Sequence, residues 1–101
     1  MMIMRVALLL LLSVLVPAAA QAETPGEKLF NRKCTMCHKV NGRGGEIGPD
    51  LGRVASRLSG AQLQAKVMYP KKSAPSTSMP SFATLPATEM DALLSYLKTL
   101  R

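Results

Sequence analysis

The chain has 101 residues, a formal net charge of +7, 48% apolar residues, two cysteines, one histidine and no tryptophan. That length allows one domain with a thin core, and such small domains commonly depend on a metal, disulfides or another staple. The basic balance carries no cationic stripe interleaved with aromatics. This argues against nucleic acid and leaves solubility, or steering toward an acidic partner, as its use.

The first stretch has the three parts of an export signal: Arg5 as a short basic start, an apolar run over Val6 to Val16, and the small-x-small site Ala20-Gln21-Ala22. The run falls short of the roughly 20 residues of a spanning helix. Residues 1–22 are therefore expected to be a cleaved leader, with an uncleaved membrane anchor as the alternative, and residues 23–101 the mature domain, periplasmic or its equivalent, with no stable membrane span after cleavage. Loss of Arg5 leaves the mature chain at +6. The exported setting is oxidising, so two cysteines there tend to pair unless other chemistry uses the thiols.

Thr24-Pro25-Gly26-Glu27 predicts a helix start, with Thr24 as cap, Pro25 at the first helical position and Glu27 completing a capping box. The helix is expected to reach about Lys33. Gly26, Phe30 and Cys34 are four apart and share a face. A glycine there suggests close approach of another backbone. Lys39 to Asp50 contains four glycines and reads as loop, ending in the turn Gly48-Pro49-Asp50-Leu51. Leu51, Val54, Ala55 and Leu58 follow helical spacing over a short segment.

Ser59-Gly60-Ala61-Gln62 is a second capping box, flanked by Leu58 and Leu63 as a hydrophobic staple. Its helix is expected to end by Tyr69, because Pro70 follows. Lys71 to Ala87 is rich in Ser and Pro and reads as irregular, yet it holds Met79-Pro80-Ser81-Phe82. Thr88 is the expected cap of the last helix, whose buried stripe is Leu93, Tyr96, Leu97 and Leu100. Three or four helices joined by loops this long need something to order the loops.

Cys34-Thr35-Met36-Cys37-His38 has the C-x-x-C-H form of a c-type haem attachment site. Two thiols one helical turn apart can each add to one vinyl group, and the histidine supplies an axial nitrogen. A redox dithiol is expected near a βαβ pattern, which this chain lacks. Structural zinc needs four ligands, and Cys34, Cys37 and His38 are the only Cys and His present. A haem would also give so small a domain a large apolar surface to fold around.

A second axial ligand could come from Met36, Met68, Met79 or Met90. Met36 lies inside the attachment turn, Met90 lies beside the core stripe of the last helix, and Met68 closes a helix, where methionine is more often core filler. Met79 stands in an extended loop before Pro80, free to reach across a pocket. It is the first candidate and Met68 the second.

These residues, in this order, resemble the small class I c-type cytochromes over the whole of residues 23–101. Gly26 and Phe30 match that family's first-helix contact residues, and Leu93 and Tyr96 match their partners. Gly48-Pro49-Asp50-Leu51 is similar to the family's G-P-x-L turn, and Met79-Pro80 to its axial methionine motif. Tyr96-Leu97-Lys98 resembles the usual end of the terminal helix. The resemblance implies an all-α class I cytochrome c fold around one covalent haem c. It implies axial ligation by His38 and Met79, with the Pro49 carbonyl orienting the His38 ring. The implied role is an electron carrier, not an enzyme, passing one electron between acidic-surfaced redox proteins or a dehydrogenase or oxidase. The alternatives are a gas sensor or small peroxidase with a weak or absent sixth ligand, and a haem subunit of a larger complex. The absence of Trp departs from members that place one beside a haem propionate. Arg53, Arg57, Tyr69, Lys71 and Lys72 are the candidates for that task.

Overall fold

The computed structural model describes residues 22–101. The expected leader, residues 1–22, lies outside the described residues except for Ala22. Among the described residues, four helices carry the fold: α1 (Pro25–Lys33), α2 (Gly60–Met68), the single turn α3 (Pro70–Ser73) and α4 (Ala87–Leu97). A 3-10 turn, Val54–Ser56, precedes α2. Among the described residues, no helix is long and apolar enough to cross a membrane.

α1 begins where its cap predicts. The Glu27 N–H donates to Thr24 Oγ1 at 3.2 Å, and Pro25 occupies the first turn. Only this half of the expected box forms, since the side-chain cap recorded at Thr24 is from the Glu27 backbone. At α2 both halves form: Gln62 N–H to Ser59 Oγ at 3.2 Å, and Ser59 N–H to Gln62 Oε1 at 2.9 Å. α2 stops at Met68 with Tyr69 as its C-cap, ahead of Pro70.

α1 and α4 cross closely. Phe30 and Leu93 are the two large side chains buried completely at the crossing, and the Phe30 and Tyr96 rings lie 5.4 Å apart, tilted by 56°. A Cβ on Gly26 would run into the Ala92 carbonyl oxygen and come within 2.9 Å of Tyr96 Cβ, so only glycine permits this approach. Leu29, Leu63, Val67, Met90, Leu94, Leu97 and Leu100 complete one contiguous core. The Ala55 N–H donates to the Leu100 carbonyl at 2.7 Å and ties the 3-10 turn to the chain end.

Beyond the half-formed box at Thr24, the structure departs from the sequence expectation in three places. Lys39 to Asp50 is not all loop: β1 (Lys39–Val40) and β2 (Arg43–Gly44) form a short antiparallel hairpin. Its turn is Asn41-Gly42, with φ of 51° and 76°, the two-residue turn that the Asn-Gly pair favours. Lys71–Ala87 is not wholly irregular either, because Pro70 starts the turn of α3 from its first position. The N-cap of α4 is Pro86 rather than Thr88, which falls in the first turn. Pro86 has no side-chain donor or acceptor, so the helix starts there without a side-chain cap.

Candidate functional site

The C-x-x-C-H segment continues the turn of α1. Cys34 N–H donates to the Phe30 carbonyl at 2.8 Å, and the His38 N–H to the Cys34 carbonyl at 2.9 Å. His38 thus sits one helical turn beyond the first thiol. The following loop is laid back against this segment, with the Gly48 N–H donating to the Cys37 carbonyl at 2.7 Å.

His38 is buried, and its Nδ1 lies 2.8 Å from the Pro49 carbonyl oxygen. A carbonyl can only accept, so Nδ1 carries the proton. With Nδ1 as the donor, the neutral ring would present the Nε2 lone pair, the one through which imidazole binds a metal.

His38, Pro49, Thr77 and Met79 line two adjoining cavities, of about 420 Å³ and about 110 Å³. The smaller opens onto Cys34, Cys37, Ile47, Pro80 and Phe82. The larger has apolar walls from Leu51, Val54, Leu63, Val67 and Leu97, with Arg57, Lys66 and Ser73 also on its lining. An open groove of about 760 Å³ beside the starts of α1 and α4 is larger but contains none of these residues.

The four methionines separate clearly. Met36 is 82% exposed, and Met90 is buried in the core. Met68 lines neither cavity that contains His38; its sulfur accepts from Gln64 Nε2 at 3.6 Å. Met79 lines both, half-buried. Of the five candidates for a propionate, only Arg57 lines the larger cavity. Arg53, Tyr69, Lys71 and Lys72 do not, and Lys72 instead lies 4.9 Å from the centre of the Tyr69 ring. Lys66 and Ser73 reach the cavity together, their side chains joined at 2.7 Å, and the sequence carried no signal for that pairing.

Cys34 and Cys37 are not joined in a disulfide. Burial first, and then the neighbouring Cys37, push the Cys34 thiol up to about 11, against a smaller pull from Lys33. Among the described residues, no group of three or more His, Cys, Asp and Glu could hold a bare metal ion. The donor set suits a haem instead: two cysteines at one end of an apolar cleft, an imidazole with an unencumbered Nε2, and a thioether on the same lining.

A helical domain that brings two cysteines, an imidazole and a thioether to one apolar cleft has the donor set of a haem-binding protein. The cytochrome c family profile matches residues 23–101, and the chain belongs to that family. It carries covalently bound haem c. The chain is 41% identical over 91 residues to a dihydro-heme d1 dehydrogenase of Pseudomonas aeruginosa, covering 87% of this chain and 18% of that protein. It is 37% identical over 75 residues to a cytochrome c-553-like protein of Synechocystis, covering 74% and 66% respectively. A cytochrome c of Nigella damascena is 32% identical over 102 residues, covering 80% and 92%. The chain therefore spans less than a fifth of the first of these relatives and about two thirds of the second.

Proposed function

We propose that Cys34 and Cys37 hold one haem c by thioether bonds, that His38 and Met79 are its axial ligands, and that the Pro49 carbonyl orients the imidazole. The observation that carries this reading is the cleft itself, where His38 and Met79 share a lining that extends to both thiols. The bound group supplies a one-electron iron couple. The chain keeps water away and holds both ligands, so that little rearrangement accompanies electron transfer. A thioether opposite an imidazole favours the reduced iron. With both axial positions filled, the protein acts as a carrier rather than an enzyme.

The carrier works in the periplasm after loss of residues 1–22. The small-x-small site at Ala20-Gln21-Ala22 supports this, as does a family match that begins at Glu23. Its partners are acidic-surfaced redox proteins. From Leu51 to Thr88 the chain carries Arg53, Arg57, Lys66, Lys71 and Lys72 and no carboxylate, and Arg57 and Lys66 lie on the cleft itself. Such a field steers encounter with an acidic surface. A second reading, a haem subunit of a dehydrogenase complex, draws on the similarity to one part of the dihydro-heme d1 dehydrogenase. Size-exclusion of a native extract separates the two: a free shuttle elutes at its own size, a subunit with its complex.

Met79→Ala tests the ligand assignment. The variant should lose the weak thioether-to-ferric-iron absorption band in the red, show a lowered reduction potential and bind carbon monoxide readily when reduced. Met68→Ala should keep the band. Loss of the band in the Met68 variant alone would reassign the ligand. An unmutated protein that lacks the band and binds carbon monoxide at once would be a sensor or small peroxidase instead.

A further inference from the structure

The loop that presents Met79 leaves α3 and closes on the C-terminus of α2. A helix leaves its last four carbonyls without intrahelical donors. In α2 two of these are taken by the Met79 loop. The Phe82 N–H donates to the Val67 carbonyl at 3.0 Å, and the Ser81 hydroxyl donates to the Met68 carbonyl. The same hydroxyl accepts from the Ala83 N–H at 3.2 Å, so it joins the helix end to both sides of its own turn. On the other side of Met79, its N–H donates to Thr77 Oγ1 at 3.2 Å.

The arrangement makes the end of α2 a fixed post for the loop. Met68, the rival thioether, takes part through its backbone carbonyl, while its sulfur is engaged by Gln64 outside the His38 cleft. We propose that Ser81 is a positioning residue for the sixth ligand, holding Met79 on the cleft by tethering its loop to the C-terminal carbonyls of α2. The inference rests on Met79 being that ligand. Ser81 is exposed and touches neither the cleft nor the thiols, so its effect passes through the loop alone.

Removing the hydroxyl returns the Met68 carbonyl to water and leaves the Phe82 N–H as the one hydrogen bond, among the described residues, from the loop to the end of α2, beside the packing of Phe82 and Leu85 on the core. The fraction of protein with Met79 off the iron then rises. An outside ligand that needs the open state gains apparent affinity in proportion to that fraction. One net hydrogen bond changes such an equilibrium about three- to tenfold.

Imidazole binding to the oxidised, haem-loaded protein, followed by loss of the red band, measures this directly. Ser81→Ala should bind imidazole about three- to tenfold more tightly than the unmutated protein. Ser81→Thr, which keeps the hydroxyl, should restore the original affinity. Thr24→Ala, which removes a helix cap away from the loop, should lower the melting temperature without moving imidazole affinity. Unchanged imidazole affinity in Ser81→Ala, whatever its melting temperature, overturns the inference. So does an equal rise in Thr24→Ala, since that would reflect general loosening. A Met79→Ala variant that keeps the red band overturns the ligand assignment and this inference together. A Met79→Ala variant that loses the band, beside a Ser81→Ala variant with unchanged affinity, overturns only the role of Ser81.

Discussion

At Gly48 the loop after the thiols meets the imidazole. A Cβ there would lie 2.7 Å from His38 Nδ1 and 3.0 Å from Nε2. The ring cannot yield without giving up its 2.8 Å bond to the Pro49 carbonyl, and the Gly48 N–H is itself tied to Cys37. Gly48→Ala should therefore overpack the site and destabilise the haem-loaded protein by about 1–3 kcal/mol. Denaturant titration followed at the haem absorption checks this; an unchanged midpoint would show that the ring has room to move. Cys34, Cys37 and His38 were legible from sequence because the attachment chemistry dictates their spacing. Met79 was a candidate from its setting, a thioether in a polar loop with no core to fill, and the structure puts it on the lining that holds His38. Pro49 was reached only through family resemblance, and the structure supplies the hydrogen bond that goes with it. The crowding at Gly48 was not legible, because it depends on two segments meeting face to face. The same holds for Lys66 and Ser73, which join α2 to α3 at the cavity, while Lys71 and Lys72, the more conspicuous pair in sequence, lie off it.

The α1–α4 crossing is the element on which the cleft is mounted, since α1 runs directly into the thiol turn and α4 lends Leu97 to the cavity wall. Phe30 is fully buried there, so Phe30→Ala should cost about 3–5 kcal/mol. That is a large share of the roughly 5–15 kcal/mol that holds a domain of this size together. Gly26→Ala should also destabilise, despite the better helix propensity of alanine, because its Cβ meets the Ala92 carbonyl rather than a side chain that can turn away. Thermal melts of both variants check the pair, and a gain in stability for Gly26→Ala would mean that the helices do not approach as described. Helix starts with a capping side chain, at Thr24 and Ser59, were readable. The start of α4 was not, because Thr88 looked like a cap while the chain begins the helix after Pro86. The Asn41-Gly42 hairpin was readable in principle, but its strands are two residues each, too short for an alternating pattern to show.

Across the whole molecule, the described core is one small cluster, and the cleft beside it takes much of the space that a larger domain would fill with side chains. The cleft is open on one side; of its apolar walls, Val54, Leu63 and Val67 are buried and Leu51 is half-buried. A group seated there would cover the apolar surface that remains, which stabilises the folded chain by about 25 cal/mol per Å² covered. The long loops need support as well. The loop after α3 is tied back through Thr77, Ser81 and Phe82, and these few hydrogen bonds contribute only about 1 kcal/mol each. Covalent attachment answers both demands, because it fills the cleft and keeps the group in place when the chain opens. Protein matured with its haem should keep that haem through boiling in denaturant followed by acid extraction. Cys34→Ser with Cys37→Ser, which removes both attachment points, should give a chain without a cooperative thermal transition and with near-UV dichroism largely lost. Haem that extracts freely from the unmutated protein would sink the covalent assignment. A double variant that melts cooperatively at the temperature of the haem-loaded protein would instead show that the four helices hold together without a filled cleft.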